Sequence, residues 1–291
     1  MLKSVRNIDL NDMRNCATAF SRKAFTDILE YGDYSVMDNV VANYEVTNPG
    51  WTYSRMLDKV YDLMVKNYRC EYVFKNEVIS KLLLKKYGTK NTVYFSEFRL
   101  RESIADLAMF NGESKAFEIK TEYDSPRRLR KQLEEYSAFF DKVYLVIPSS
   151  LYDAYSLEIA GTNVGVIVMD YRNGKVEIKE QDPAYQNDAL DVDVMMASLR
   201  EDEYKAIVKS LTGIVPEVPS YKMFESCTQI LKAMSVKDLK RELLGVLKKR
   251  RNITNHIRHI QPSLRQMMLS LNLTERKETL LLSKFNKQIL M

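Results

Sequence analysis

The sequence predicts an α/β fold, a mixed-sheet core with a helical extension before it and a helical domain after it. Three observations carry that expectation. From Tyr72 to Pro148 the apolar spacing changes from helical to alternating and back, giving the order helix, three strands, helix, strand. Outside that block, and a further hairpin up to residue 182, apolar residues recur almost entirely at helical spacing. An acid-rich stretch from Gln181 to Glu203, with seven Asp or Glu against Arg200 alone, marks a change of composition. The expected segments are a helical N-terminal extension at 1–68, a core at 69–182 and a C-terminal helical domain at 187–291, basic from about residue 231.

In chain order, Ala17, Phe20, Ala24, Phe25 and Ile28 predict helices from Leu10 to about Tyr44, interrupted at Tyr31-Gly32-Asp33. Asn48-Pro49-Gly50 is a turn signal, and Tyr53 to Tyr68 is helical, with Trp51 at its start as a packing anchor. Tyr72 to Tyr87 places Phe74, Val78, Ile79, Leu82 and Leu83 on one face and ends at Lys85, Lys86 and Gly88. Thr92 to Leu100 alternates as a first strand, and Ile104 to Phe110 is a second, carrying one carboxylate, Asp106. Asn111-Gly112 signals a hairpin into Ala116 to Thr121, where Glu118 and Lys120 share one face.

Loop length decides whether that face also holds Asp106. A two-residue loop would set Asp106 opposite Phe117; a three-residue loop over Asn-Gly-Glu sets it opposite Glu118, and the longer loop is expected. Ser125 and Pro126 suit the N-cap and first position of a following helix, whose apolar stripe is Leu129, Leu133, Tyr136 and Phe140, with Gln132 on its flank. Arg127, Arg128, Arg130 and Lys131 crowd its first turns, against a helix dipole that disfavours each cation there by ~0.3–1 kcal/mol. An anionic ligand would compensate. Lys142 to Pro148 is a continuous apolar run, hence a buried central strand, and Gly165–Asp170 and Lys175–Ile178 flank a turn at Arg172-Asn173-Gly174.

Asp106, Glu118-Ile119-Lys120 and Gln132-x-x-x-Tyr136, in that order, resemble the PD-(D/E)XK nuclease superfamily and its RecB-like branch. The run from Asn67 to Pro148, a little over a quarter of the chain, looks like a group of bacterial proteins known mostly as predicted nucleases; Ala105 stands where the superfamily's name has Pro. The resemblance implies a restriction-endonuclease-like (αβββαβ) core and a magnesium-dependent (Mg²⁺ or Mn²⁺) nuclease acting on DNA more than RNA, in host defence or mobile-element biology. It implies a metal held by Asp106, Glu118 and the backbone carbonyl of Ile119, with Glu77 helping from the preceding helix, and catalysis by Asp106, Glu118, Lys120, Gln132 and Tyr136. A surface ion pair between Glu77 and Lys81 is the plain alternative for Glu77. A catalytically inactive nuclease-fold scaffold that binds nucleic acid or regulates is the second function class, because a fold does not guarantee an activity.

Chemistry bears on the roles. Two carboxylates supply the hard oxygen donors that Mg²⁺ prefers. Lys120, next to them, would be kept cationic, so charge stabilisation suits it better than base catalysis.

Composition sets the limits. An apolar share of 45% and a charged share of 29% describe a globular chain. Its longest apolar runs fall short of the ~18 residues of a membrane span and the N-terminus leads into charge, so a cytoplasmic protein without membrane contact is expected. Cys16, Cys70 and Cys227 lie far apart without zinc-type spacing, and His256 and His259 lack nearby acidic or cysteine ligands. From Leu231 onward there are 14 Lys or Arg against 4 Asp or Glu, a net of +10 in a chain whose total is +5. Lys248, Lys249, Arg250 and Arg251 cluster there as candidate phosphate contacts, joining Arg127, Arg128, Arg130 and Lys131; a solvated face, or a docking surface for a protein partner or a homodimer through the C-terminal helices, are the alternatives.

Overall fold

A computed structural model describes residues 9–44, 46–250 and 254–290. It contains one six-stranded mixed sheet, in the order β1 (Val93–Arg99), β2 (Ile104–Phe110), β3 (Ser114–Ile119), β4 (Lys142–Ile147), β5 (Gly165–Arg172), β6 (Lys175–Asp182). β1, β2 and β3 pair antiparallel, whereas β3, β4 and β5 run parallel. β4 thus sits between parallel partners, and only Lys142 at its start escapes burial, as its unbroken apolar text requires. The β5–β6 turn is Asn173-Gly174, both residues at positive φ (50° and 75°), the conformation that makes Asn-Gly a hairpin dipeptide.

The chain forms two compact units: Met1–Lys86 with Asp170–Glu177 and Asn255–Met291, and Tyr87–Met169 with Ile178–Thr254. These cut across the expected segments 1–68, 69–182 and 187–291. The reason is burial: Cys227, Leu231, Leu239, Leu243 and Leu247 of the C-terminal part share one hydrophobic core with Phe98, Phe110, Leu133 and Leu145 of the sheet unit. The last 37 residues instead belong with the N-terminal helices.

In the first unit α1 (Leu10–Ala17), α2 (Arg22–Tyr31) and α3 (Ser35–Tyr44) follow the expected pattern, with Gly32 ending α2 in the left-handed region at φ 66°. α4 (Tyr53–Asn67) starts just after Trp51, whose ring lies 4.5 Å from the Arg55 guanidinium, and Ile289 donates its amide to the Trp51 carbonyl at 2.9 Å. The helix predicted over 72–87 divides into α5 (Glu71–Glu77) and a π-helical continuation, Val78–Tyr87.

In the second unit α6 (Leu129–Ser137) connects β3 to β4, α7 (Tyr152–Glu158) connects β4 to β5, and α8 (Val192–Ser198), α9 (Glu201–Thr212), α10 (Ser220–Lys232) and α11 (Val236–Lys249) follow the sheet. One sheet face, Ala108 and Phe110 of β2, Ala116 of β3, and Val143, Leu145 and Ile147 of β4, carries the core that these helices cover. In the first unit α12 (Arg265–Leu271) and α13 (Glu275–Phe285) complete the helices, Phe285 packing on Phe25 with ring centroids 5.0 Å apart. His256 and His259 stand on a turn and a short 3-10 segment. No helix among the described residues is long and apolar enough to cross a membrane.

Gly165 opens β5 where no side chain fits: a Cβ there would lie 2.4 Å from the Ala184 amide nitrogen, 2.8 Å from the Asp182 carbonyl oxygen and 2.8 Å from the Tyr144 ring. Gly165→Ala should therefore lower stability by about 1–3 kcal/mol, read as a lower urea midpoint at unchanged m-value. An unchanged midpoint would mean that the 182–184 strand exit is not held against β5.

Candidate active site

The register of the β2–β3 hairpin runs from Phe110 opposite Ser114 to Leu107 opposite Phe117, so the loop is the three residues Asn111-Gly112-Glu113, and by strand parity Asp106 falls on the same face as Glu118. Sequence parity alone had made this the condition for a joint site. Asp106 Oδ2 accepts the backbone N–H of Ile119 at 2.8 Å, locking the acid to the end of β3. Lys120 follows immediately, its amide bonded to the Val146 carbonyl of the parallel neighbour at 2.9 Å.

Four side chains then meet. Lys120 Nζ lies 2.7 Å from Glu118 Oε1 and 3.3 Å from Gln132 Oε1. The Tyr136 hydroxyl is 2.9 Å from Glu118 Oε2 and 2.7 Å from the Ile104 carbonyl oxygen. The helical spacing of α6 explains the last two contacts: Leu129, Leu133 and Tyr136 face the sheet and are buried, and Gln132, one turn before Tyr136, reaches the lysine from the flank.

The electrostatics single out Glu118, which is 2% exposed. Burial first, and the nearby charge of Asp106 second, push its carboxyl up to about 7, although Lys120 and the Tyr136 hydroxyl pull the other way. The Tyr136 hydroxyl stands within bonding distance of two acceptors, Glu118 Oε2 and the Ile104 carbonyl oxygen, and it opposes the rise by donating to the carboxylate. Burial works to lower the Lys120 ammonium, but Glu118 and Asp106 outweigh it, and the net direction is upward. Lys120 is thus a fixed positive charge, not a base.

Other expected residues are placed differently. Ser125 has the extended backbone of an N-cap but no side-chain capping bond, and the helix begins as a 3-10 turn, Pro126–Arg128. The turn is held instead by Asp124 Oδ2, which accepts both the amide and the hydroxyl of Thr121 at 2.7 Å. Sequence reading passed over this bond; a Thr three residues before an Asp was its signal. Arg127 and Arg128 are exposed and make no hydrogen bond or ion pair among the described residues, whereas Arg130 faces Glu134 at 3.8 Å and Lys131 pairs with Glu102. Glu77 belongs to the first unit, where Tyr61 donates to its Oε1 at 2.7 Å and Lys81 Nζ lies 3.0 Å from Oε2. A ligand role for Glu77 stands on the resemblance alone.

The basic quartet 248–251 does not form one phosphate-facing patch. Lys249 is exposed, Lys248 donates to the Asn111 carbonyl at 2.7 Å, and Arg251 lies outside the described residues. Arg250 is an internal tie: its Nε and one terminal nitrogen each lie 2.6 Å from a Glu203 carboxylate oxygen, and it also donates to the Ser198 carbonyl at 2.8 Å. Burial works to raise the Glu203 carboxyl, but Arg250 and the Arg200 amide outweigh it and hold it below its ordinary range. Arginine was favoured here by the fork that carboxylate matches, not by phosphate.

What these side chains define is a carboxylate–lysine site at the end of the parallel strands of a mixed sheet, ordered by a helix that supplies an amide and a phenol. The chain belongs to the family of bacteriophage P4 protein cII, whose model it matches over residues 64–272, a span that includes every residue of the site. Protein cII of Enterobacteria phage P4 is similar, 28% identical over 153 residues, which is 52% of this chain and 56% of that protein. The alignment thus spans little more than half the length of this relative. Among solved structures, a protein of unknown function from Silicibacter pomeroyi matches at a TM-score of 0.30 and 14% identity, covering 43% of this chain and 77% of that one.

Two predictions follow from the charges. The unfolded Glu118 carboxyl titrates near 4.5 and the folded one near about 7, so the folded state keeps a proton that the unfolded state loses, and stability falls as pH rises through that window. Urea unfolding with EDTA at pH 4 to 8 should show Glu118→Gln lacking this fall, gaining on the wild type by on the order of 3 kcal/mol across the range. Parallel curves would mean that Glu118 is not held protonated. Arg250→Ala strands the buried Glu203 charge and should cost about 3–5 kcal/mol, read as a lower urea midpoint, and unchanged stability would mean that Arg250 is not an internal tie.

Proposed function

We propose that this protein is a divalent-cation-dependent nuclease with a restriction-endonuclease-like core, hydrolysing phosphodiester bonds in DNA more than in RNA. The observation that carries the reading is the convergence of Asp106, Glu118 and Lys120 on one sheet face, with Gln132 and Tyr136 bonded to two of them. Similarity to a phage protein favours mobile-element biology over host defence as its setting.

The donor set suits Mg²⁺ or Mn²⁺. Asp106 and Glu118 are two hard carboxylates whose mutual repulsion helps raise the Glu118 carboxyl, a strain that a cation between them relieves. Among the described residues no group of three or more His, Cys, Asp or Glu is placed to hold a metal ion, so an ion here would have only these two carboxylates and a backbone carbonyl from the protein. Asp106, Glu118 and the Ile119 carbonyl would hold the ion, which supplies a Lewis acid for the phosphate and makes water nucleophilic near neutral pH.

The chain's own groups do the rest. Glu118 gives up its proton near neutral pH, so the site gains its second carboxylate charge in the range where the protein would work. Lys120 presents a permanent ammonium where charge accumulates on the phosphoryl oxygens, and Gln132 holds that ammonium in place. Tyr136 orients Glu118 through its phenol. Arg127 and Arg128, exposed on the turn after Lys120, would contact flanking phosphates.

Incubation of the full chain with plasmid, linear duplex, single-stranded DNA and RNA, with Mg²⁺ or Mn²⁺, should give cleavage that EDTA stops. Glu118→Ala and Lys120→Ala should each reduce it by roughly a hundredfold or more while the fold persists. Absence of cleavage by the wild type on every substrate and with either cation would leave an inactive scaffold as the reading.

A further inference from the structure

Among the described residues, four other than glycine have positive φ, and three of them, Asn91, Asn173 and Asn272, are asparagines in turns or at the end of α12, where that conformation is ordinary. The fourth, Glu97, stands inside β1 at φ 57°. A glutamate held in the left-handed region within a strand is strained, and it persists only where the surrounding structure imposes it. Its side chain is exposed, so the demand falls on its backbone.

Packing on either side shows what that backbone does. Side chains three apart on a regular strand point to opposite faces. Phe95 and Phe98 nevertheless both pack on Phe110, with ring centroids 5.8 and 5.3 Å away. β1 therefore turns over between them, at Glu97. The same reversal occurs in β2, where Ala105 and Ala108, also three apart, both belong to the hydrophobic core. The two strands keep one register through the reversal, Ser96 opposite Leu107 and Phe98 opposite Ala105, which makes Glu97 and Asp106 its facing residues.

Here, too, the sheet opens. β1 stays paired with β2 as far as Arg99 and Ile104, but β2 parts from β3 after Leu107 and Phe117. Side chains of the site fill the gap. A continued ladder would set Ile119 opposite Ala105; instead the Ile119 amide donates to Asp106 Oδ2 at 2.8 Å, and the Ile104 carbonyl oxygen lies 2.7 Å from the Tyr136 hydroxyl. On its other side β3 is undisturbed, since the Lys120 amide keeps its bond to the Val146 carbonyl of β4.

We propose that Glu97 is a positioning residue of the site: its left-handed backbone is the corner at which β1 turns with β2 away from β3, opening the gap into which the Asp106 carboxylate is aimed. Touching neither metal nor substrate, it acts through Asp106. As a statement about catalysis this rests on the nuclease reading; as a statement about Asp106 it does not.

The test uses Glu97→Gly, Glu97→Asn and Glu97→Val in the full chain, each read by amide hydrogen exchange at Ile119 and Lys120, by affinity for Mn²⁺ alone and by thermal melting. Glycine and asparagine accept positive φ, whereas β-branched valine does not. Glu97→Gly and Glu97→Asn should keep the slow Ile119 exchange and the Mn²⁺ affinity, melting at or above the wild type. Glu97→Val should speed Ile119 exchange and weaken Mn²⁺ binding, each by roughly tenfold or more, while the Lys120 amide exchanges as before. Should Glu97→Val fail to fold, Glu97→Ala, which opposes positive φ less strongly, carries the same comparison. A valine variant that melts lower yet keeps both Ile119 exchange and Mn²⁺ affinity would show that the corner serves packing alone, and equal losses in Glu97→Gly would show that the side chain matters, not the backbone; either overturns the proposal. If the wild type binds no Mn²⁺ and cleaves nothing while Ile119 exchange still separates valine from glycine, the nuclease reading falls and the placing of Asp106 stands. If the wild type cleaves DNA while Ile119 exchange is the same in every variant, the nuclease reading stands and this proposal falls.

Discussion

A single residue of loop length governs this site. Because side chains alternate along a strand, shifting the β2–β3 pairing by one position would carry Asp106 to the other face of the sheet. The three-residue loop prevents that, and local bonds fix it: Asn111 accepts the Gly112 amide on its side-chain oxygen at 2.9 Å, and its own amide donates to the Glu113 carbonyl at 3.1 Å. From α11, Lys248 adds a bond to the Asn111 carbonyl. Everything at the far end of the hairpin inherits this register, from the Asp106 bond to Ile119 through the meeting of Glu118 with Lys120.

Placing acids on the buried face has an electrostatic consequence. The same face that carries Ala108, Phe110, Ala116 and Leu145 into the core carries Glu118, so the carboxyl is desolvated by the packing that stabilises the unit. Lys120, Tyr136 and a bound proton are the compensations the chain provides. A site built this way is poised: its charge state near neutrality depends on what else binds.

The C-terminal helices have a dual character that their composition conceals. Their net positive charge suggests a surface for anions, yet Lys240 bonds Asp141 at 2.7 Å and Arg250 grips Glu203, both inside the second unit. Part of the basic excess is thus internal neutralisation of acids in the sheet connections and in α9. Of the two clusters singled out in the sequence, Arg127, Arg128, Arg130, Lys131 and Lys249 are exposed, whereas Lys248 and Arg250 are tied to the Asn111 carbonyl and to Glu203.

By itself the sequence determined the element order, because periodicity and turn residues are local: Gly32, Asn111-Gly112 and Asn173-Gly174 each end an element where expected, and the apolar stripe of α6 is written in its own spacing. It also determined the conditional pairing of Asp106 with Glu118, since parity along two strands is arithmetic. Only tertiary structure decided the rest. That Arg250 meets Glu203 across 47 positions, that α8 to α11 join the sheet unit while α12 and α13 group with the N-terminal helices, and that Tyr155 is buried with its hydroxyl unmatched among the described residues all depend on contacts between residues remote in sequence. Charge and polarity can be counted along a chain, but whether a charged or polar atom faces water, a partner or neither is settled by packing.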